Sequence, residues 1–376
     1  MIRPFVAAAR RFRTASAPAL LLTTVAGCAQ GPGTRYTLES PAANADGTIR
    51  VLIIHDMEGL SGQDDWRSAL SYHEDEYRRG QELLAADVNA VVAGLFAGGA
   101  DEVHVADGHG GTNPDPDLRT ELLDPRATQV FRDVPFDPYV DLAEAGVYDA
   151  VAVVGMHAKT FSNGFLAHTV GLGTDLILNG RSVTETELIA FSFGRVGVPV
   201  VFASGDDVLR ENLESMPWLR YAQVKESESA GRIKALLPLD EAHALLTELA
   251  KAAIEGLPEM KVMRLTAPIA AALRVREPAS LAGLEGVPGI RYTADRVDFE
   301  APDFLSAYHG LESLLSIASS AGRARAIADA LADRGDGQEF GWAVFDRLAE
   351  RTLAVEAGEW RPPAKPEAPR RRYHGF

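Results

Sequence analysis

Four short apolar runs, each ending in acidic or histidine residues, constrain the fold of this chain more than any other feature. Val51-Leu-Ile-Ile runs into His55-Asp56-Met-Glu58-Gly59-Leu-Ser-Gly62. Glu102-Val-His-Val-Ala106 leads to Asp107-Gly-His109-Gly-Gly111, and Asp149-Ala-Val-Ala-Val-Val154 leads to Gly155-Met-His157. Val198-Pro-Val-Val-Phe-Ala203 leads to Ser204-Gly-Asp206-Asp207. Runs of this length, rich in β-branched residues and lacking polar alternation, read as strands buried on both faces. Between the first two, Leu83, Leu84, Val88, Val91, Val92, Leu95 and Phe96 fall at three-and-four spacing. That spacing predicts an amphipathic helix over 75–97, ended by Gly98-Gly99. A second helix is expected over 182–196. Strands alternating with helices predict an α/β fold with a mainly parallel, doubly wound sheet. Parallel strands end on one edge, and open α/β sheets bind ligands outside that edge. A metal site at the strand carboxyl ends is the expectation.

Several side chains at that edge have the right chemistry. Asp56 and Glu58 share a side if the extended chain continues through Met57. Like charges so placed repel unless a cation lies between them. His109 and His157 follow the second and third strands, and Glu185 opens the expected second helix. Imidazole and carboxylate donors without thiolate suit zinc, with manganese, cobalt or iron as alternatives. Two ions sharing a bridging carboxylate would activate a water for attack on a carbonyl. Each residue also has a plain reading. Asp56 and Glu58 serve equally as solvated strand-end acids, His109 as a loop histidine, and His157 as a buried histidine bonded to backbone. Ser182-Val-Thr-Glu185 fits a capping box, which would occupy Glu185 with the backbone. Asp87 and Glu82 read as the solvent face of the long helix. Asp206-Asp207 reads as a further acidic site or a helix cap.

Composition narrows the function. A net charge of −16 argues against nucleic acid as a partner. Cys28 is the only cysteine, which excludes an intrachain disulfide. It follows Arg3, Arg10, Arg11 and Arg13 and the apolar run Ala17-Pro-Ala-Leu-Leu-Leu. This is a secretory signal too short to span a membrane, and it resembles the bacterial lipoprotein signal, in which the cysteine is lipidated. The expected location is therefore the cell envelope, anchored by lipid on the periplasmic side.

Read in order, the chain divides into a signal (1–27), a flexible tether (28–48) and an α/β metal-binding catalytic domain (49–206). A smaller α+β second domain (207–322) and a helical extension with a disordered basic tail (323–376) complete it.

The ordered set Asp56-Met-Glu58-Gly-Leu-Ser-Gly62, Asp107-Gly-His109, Gly155-Met-His157-Ala, His168, Asn179-Gly-Arg181-Ser-Val-Thr-Glu185 and Gly205-Asp206-Asp207 resembles the bacterial D-aminopeptidase family. Its members are self-compartmentalising dinuclear zinc peptidases of the dipeptide-transport operon type. The resemblance covers roughly residues 50–320. It implies that Asp56, Glu58, His109, His157 and Glu185 hold two zinc ions, with Asp56 bridging, and that His168 is the catalytic histidine. It also implies a homo-oligomer acting on short peptides, D-alanyl peptides among them. Glu187 would face away from Glu185 on a helix. The alternatives from the residues alone are another metal-dependent hydrolase, such as an esterase or phosphoesterase, and a non-catalytic ligand-binding lipoprotein.

Overall fold

The structure is a computed structural model, and it describes residues 35–42, 46–111, 115–282, 284–360 and 372–375. The expected signal and Cys28 lie outside the described residues. So do residues 28–34 and 43–45 of the tether, but Tyr36–Glu39 (β1) lies inside it.

The chain then gives β2 (Arg50–His55), α1 (Glu74–Ala97), β3 (Glu102–Asp107), β4 (Thr128–Gln129) and β5 (Ala150–Val154). Next come β6 (Thr174–Leu178), β7 (Arg181–Ser182), α2 (Glu185–Gly194), β8 (Val200–Asp206) and α3 (Asp207–Asn212). After these follow β9 (Arg220–Ser229), β10 (Arg232–Leu236), α4 (Leu239–Glu255), β11 (Val262–Leu265) and β12 (Ile269–Val275). The hairpin β13 (Arg291–Thr293) and β14 (Arg296–Ala301) precedes α5 (Phe304–Ala332) and α6 (Gly337–Glu356). Among the described residues no helix is long and apolar enough to cross a membrane.

The central sheet has the order β10-β9-β8-β5-β2-β3-β4 and is parallel except for the edge pair β10–β9. Strand β2 explains the absence of polar alternation. Val51 and Ile53 pack with Leu84, Val88, Val91 and Leu95 of α1 and Leu246 of α4. Leu52 and Ile54 face the opposite way, into a layer with Leu188 and Phe191 of α2, Leu273 of β12 and Tyr308 of α5. Both faces are dry, so each position from Val51 to Ile54 is apolar.

Two expectations are corrected. The boundary at 206/207 is not where the sheets divide, because β9 and β10 extend the central sheet. Conversely β6 and β7, which fall within the range given to the first domain, join a second, antiparallel sheet of order β13-β14-β12-β6-β7. The interleaving was hidden because a period-2 pattern identifies a strand but not its partner. From Thr34 onward the chain forms one compact unit. The flexible tether is the second correction. Strand β1 pairs antiparallel with β11, with Tyr36 opposite Leu265, and Tyr36 packs its ring on Phe191 at 6.0 Å.

Candidate metal centre

The register of three parallel strands brings the candidate residues together. His55 lies opposite Asp107 of β3 and Val154 of β5, so the three chains leave the sheet at one level. They stay bound beyond it: Asp56 N–H donates to Val154 O at 2.8 Å and Gly59 N–H to Gly155 O at 2.7 Å. The approach requires glycine. A Cβ on Gly59 would lie 1.9 Å from Met156 O, and Gly155 has φ +73° with Asp56 O where its Cβ would be. The turn is fixed from below by Asp87, which accepts Ser61 N–H at 2.8 Å. Asp87 is buried, not on the solvent face expected for it; Glu82 is exposed as expected.

Asp56, Glu58 and His109 converge as one group, and His157, His168 and Glu185 as another. Asp56, only 2% exposed, touches both, since its Oδ2 lies 3.3 Å from His157 Nε2. Glu58 Oε1 is 3.2 Å from His109 Nε2, and Glu185 Oε1 is 3.3 Å from His157 Nε2. His168 Nε2 is 4.0 Å from Glu185 Oε1, and its ring stacks on that of His157 at 3.9 Å. All six residues expected at the site are therefore in one place.

Glu185 is free for this because the capping box sits two residues later than the sequence suggested. Thr184 is the N-cap, Glu187 N–H donates to its hydroxyl at 3.0 Å, and the Glu187 carboxylate accepts Thr184 N–H at 3.0 Å. Glu187 also binds Arg181 at 2.7 Å. Asp206 is a cap too: its side chain accepts Leu209 N–H at 2.7 Å at the start of α3.

The histidines share one arrangement. His109 Nδ1 is 2.7 Å from Asp117 Oδ2, His157 Nδ1 is 3.0 Å from Ala158 O, and His168 Nδ1 is 2.7 Å from Leu166 O. Each Nδ1–H is thus donated outward, and each Nε2 presents its lone pair to the site. His157 Nε2 is buried without a hydrogen-bond partner while facing two carboxylate oxygens. A lone pair and two anions so placed need a cation among them. The charges say the same. Burial, then Glu58, pushes the Asp56 carboxyl well up. Burial disfavours charged His109 and His157, but Glu58 and Asp117 for the first, and Glu185 and Asp56 for the second, raise both well above the ordinary imidazole value. Without metal the site draws in protons, and metal would displace them. The donor set fits zinc.

Sequence reasoning missed the residues that hold the ligands. Asp117 orients His109 and also accepts the hydroxyl of Tyr77. Tyr139 Oη donates to Glu185 Oε2 at 2.5 Å, and Val170 N–H to Glu185 Oε1 at 2.7 Å. Val170 adopts φ +61°, rare for a β-branched residue, and this bond is what it gains there. Lys225 Nζ donates to Glu58 O at 2.7 Å and Gln63 Oε1 at 2.9 Å, and burial lowers its pKa to about 7. Nothing local in the sequence marks these positions, since their partners lie 8 to 167 residues away.

A cavity of about 840 Å³ opens above the cluster. Asp56, Glu58, His109, His168 and Glu185 line its polar side, Trp66, Leu70, Tyr72, Leu166 and Leu172 its apolar wall, and Arg323 is its single lysine or arginine among the described residues.

A family model described as D-aminopeptidase matches residues 49–313. The D-aminopeptidase of Bacillus subtilis (strain 168) is 31% identical over 270 residues, covering 70% of this chain and 95% of that protein. Among solved structures, the zinc-dependent D-aminopeptidase DppA from Bacillus subtilis, described as a self-compartmentalizing protease, superposes with a TM-score of 0.65 at 26% identity. The match covers 72% of this chain and 98% of that one. The chain belongs to the D-aminopeptidase family.

Proposed function

We propose that this protein is a zinc-dependent aminopeptidase that removes N-terminal residues, D-residues among them, from short peptides. The observation that carries this reading is the set of three histidine Nε2 atoms facing three carboxylates at the floor of one cavity, with five of the six residues buried. We assign Asp56, Glu58, His109, His157 and Glu185 to two zinc ions, with Asp56 shared because it touches both groups. Bound there, zinc would polarise the scissile carbonyl and lower the pKa of a water to near neutrality.

The chain's own residues supply the rest. Asp117 and Tyr139 lock His109 and Glu185, so the ligands need no reorganisation when substrate arrives. His168 Nε2, facing the cavity from a fixed ring, is placed to move a proton between water and the leaving amine. Burial, then His157, lowers its pKa, which keeps it neutral and able to accept a proton near pH 7. The acidic floor favours a substrate's ammonium end, and Arg323 on the cavity lining favours a carboxylate end. A cavity charged in this way fits short peptides with both termini free.

D-alanyl and L-alanyl amides assayed side by side, with metal analysis of the same sample, test the reading. The expected result is about two zinc ions per chain, faster cleavage of the D-amide, and loss of activity on chelation that zinc restores. Hydrolysis of nitrophenyl esters without amide cleavage would favour the esterase reading instead.

Export and a lipid anchor at Cys28 remain part of the proposal, supported by the arginine-then-apolar pattern before that cysteine. Cys28→Ala is expected to shift the protein from the detergent phase to the aqueous phase, or to leave it unprocessed. Wild-type fractionation and migration of that variant would refute the anchor. Self-association is proposed from the family, and α6 offers a surface for it in exposed Trp342, Phe345, Leu348 and Leu353.

A further inference from the structure

Beyond the residues matched by the family, the chain returns to the metal centre. The last described segment, residues 372–375, lies along Arg132. Arg132 N–H donates to Tyr373 O at 2.9 Å, and Tyr373 N–H donates to Arg132 O at 2.8 Å. The Arg372 guanidinium sits 4.6 Å over the Phe131 ring. This pairing turns His374 inward, where it is 7% exposed and its Nδ1 lies 3.2 Å from Asp107 Oδ2. Gly375 follows so closely that a Cβ on it would come within 2.2 Å of Asp107 O.

Asp107 is the residue on which the His109 loop hangs. Its Oδ1 accepts His109 N–H at 3.1 Å, and its Oδ2 accepts Asp117 N–H at 2.9 Å. Asp117 in turn accepts the His109 ring N–H at 2.7 Å. One carboxylate therefore fixes the backbone of a candidate ligand and the backbone of the residue that orients it. His55 faces the same carboxylate at 4.0 Å, but neither of its ring nitrogens has a hydrogen-bond partner. Among the described residues, His374 is the only side chain hydrogen-bonded to Asp107, and it comes from 267 residues further along.

We propose that His374 is a positioning residue for the metal centre. Paired with Arg132, the segment clamps Asp107, and through Asp107 and Asp117 it aims His109 Nε2 at Glu58. The inference rests on the reading that Asp56, Glu58 and His109 hold metal. It also gives the end of the 323–376 extension a role. The expectation of a disordered tail is corrected for residues 372–375; residues 361–371 lie outside the described residues.

The test is zinc competition against a chromophoric chelator with the full chain, comparing wild type, His374→Ala, His374→Asn and Tyr373→Pro. Tyr373→Pro removes the N–H that pairs with Arg132 and leaves every side chain near the metal intact. Both His374→Ala and Tyr373→Pro are expected to weaken one of the two zinc sites about tenfold, the low end for outer-shell partners, and to leave the other unchanged. His374→Asn, which keeps an N–H donor, is expected to recover most of that loss. Should His374→Ala not fold, the other two variants decide. Folded variants with wild-type affinity at both sites would overturn the inference, as would an equal loss at both. A wild type that holds no zinc would instead overturn the metal-site reading beneath it.

Discussion

Asp56→Ala is expected to abolish peptide hydrolysis, by about a thousandfold or more in kcat/KM, while the protein stays folded. Among the described residues, Asp56 is the one carboxylate seen to approach both ligand groups, and its removal leaves His157 Nε2 facing Glu185 alone. The stability of the same variant separates a metal ligand from a structural acid. Burial and the neighbouring Glu58 raise the Asp56 carboxyl well above its ordinary value. A carboxyl raised on folding opposes the folded state once pH exceeds its unfolded value, because charging it in place costs more than charging it in water. In chelator at neutral pH, Asp56→Ala should therefore melt no lower than wild type. With zinc added, wild type should gain several degrees and the variant much less, since binding stabilises only the form that binds. A variant that melts well below metal-free wild type, or that keeps full activity, would contradict the assignment.

His168→Ala is expected to lower kcat by about 10²- to 10⁴-fold with little change in KM and with both metal ions retained. The retained metal is the decisive part. His168 lies with His157 and Glu185 in a group whose donor atoms could converge on one ion. Its Nε2 is nevertheless farther from Glu185 than that of His157, 4.0 against 3.3 Å, and among the described residues no other carboxylate lies within ion-pair distance. As a proton carrier it should also leave a signature in the pH profile. Its pKa is lowered, so the acid limb of kcat should fall below the ordinary histidine value in wild type and flatten in His168→Ala. Loss of one ion from the variant would make His168 a ligand and move the proton-transfer role elsewhere.

Local pattern was enough for some of this chain and not for the rest. The helix expected over 75–97 is Glu74–Ala97, and the strand cores expected at 51–54 and 102–106 fall within β2 and β3, because burial repeats with the period of the element. Hydrogen-bond competition was less legible. Ser182 and Thr184 both precede a glutamate by three residues, and only the structure shows that Thr184 and Glu187 form the box that leaves Glu185 free. Asp87 sits at a position that reads as a polar face, yet it is buried because the Gly59–Gly62 turn folds over it. The antiparallel partner of β1, 226 residues away at Tyr36–Glu39 against Val262–Leu265, leaves no local trace at all.

The sequence by itself determined the chemistry available at the sheet edge: which strands end together, and which acids and imidazoles follow them. It could do so because strand direction and side-chain type are local properties, and parallel strands must end on one side. Tertiary structure alone decided which of those groups are held and how. The Tyr139 and Lys225 anchors and the His374 contact join residues far apart in sequence, where no spacing rule applies. Orienting a ligand takes hydrogen bonds from several directions, and only the folded chain brings those directions to one point.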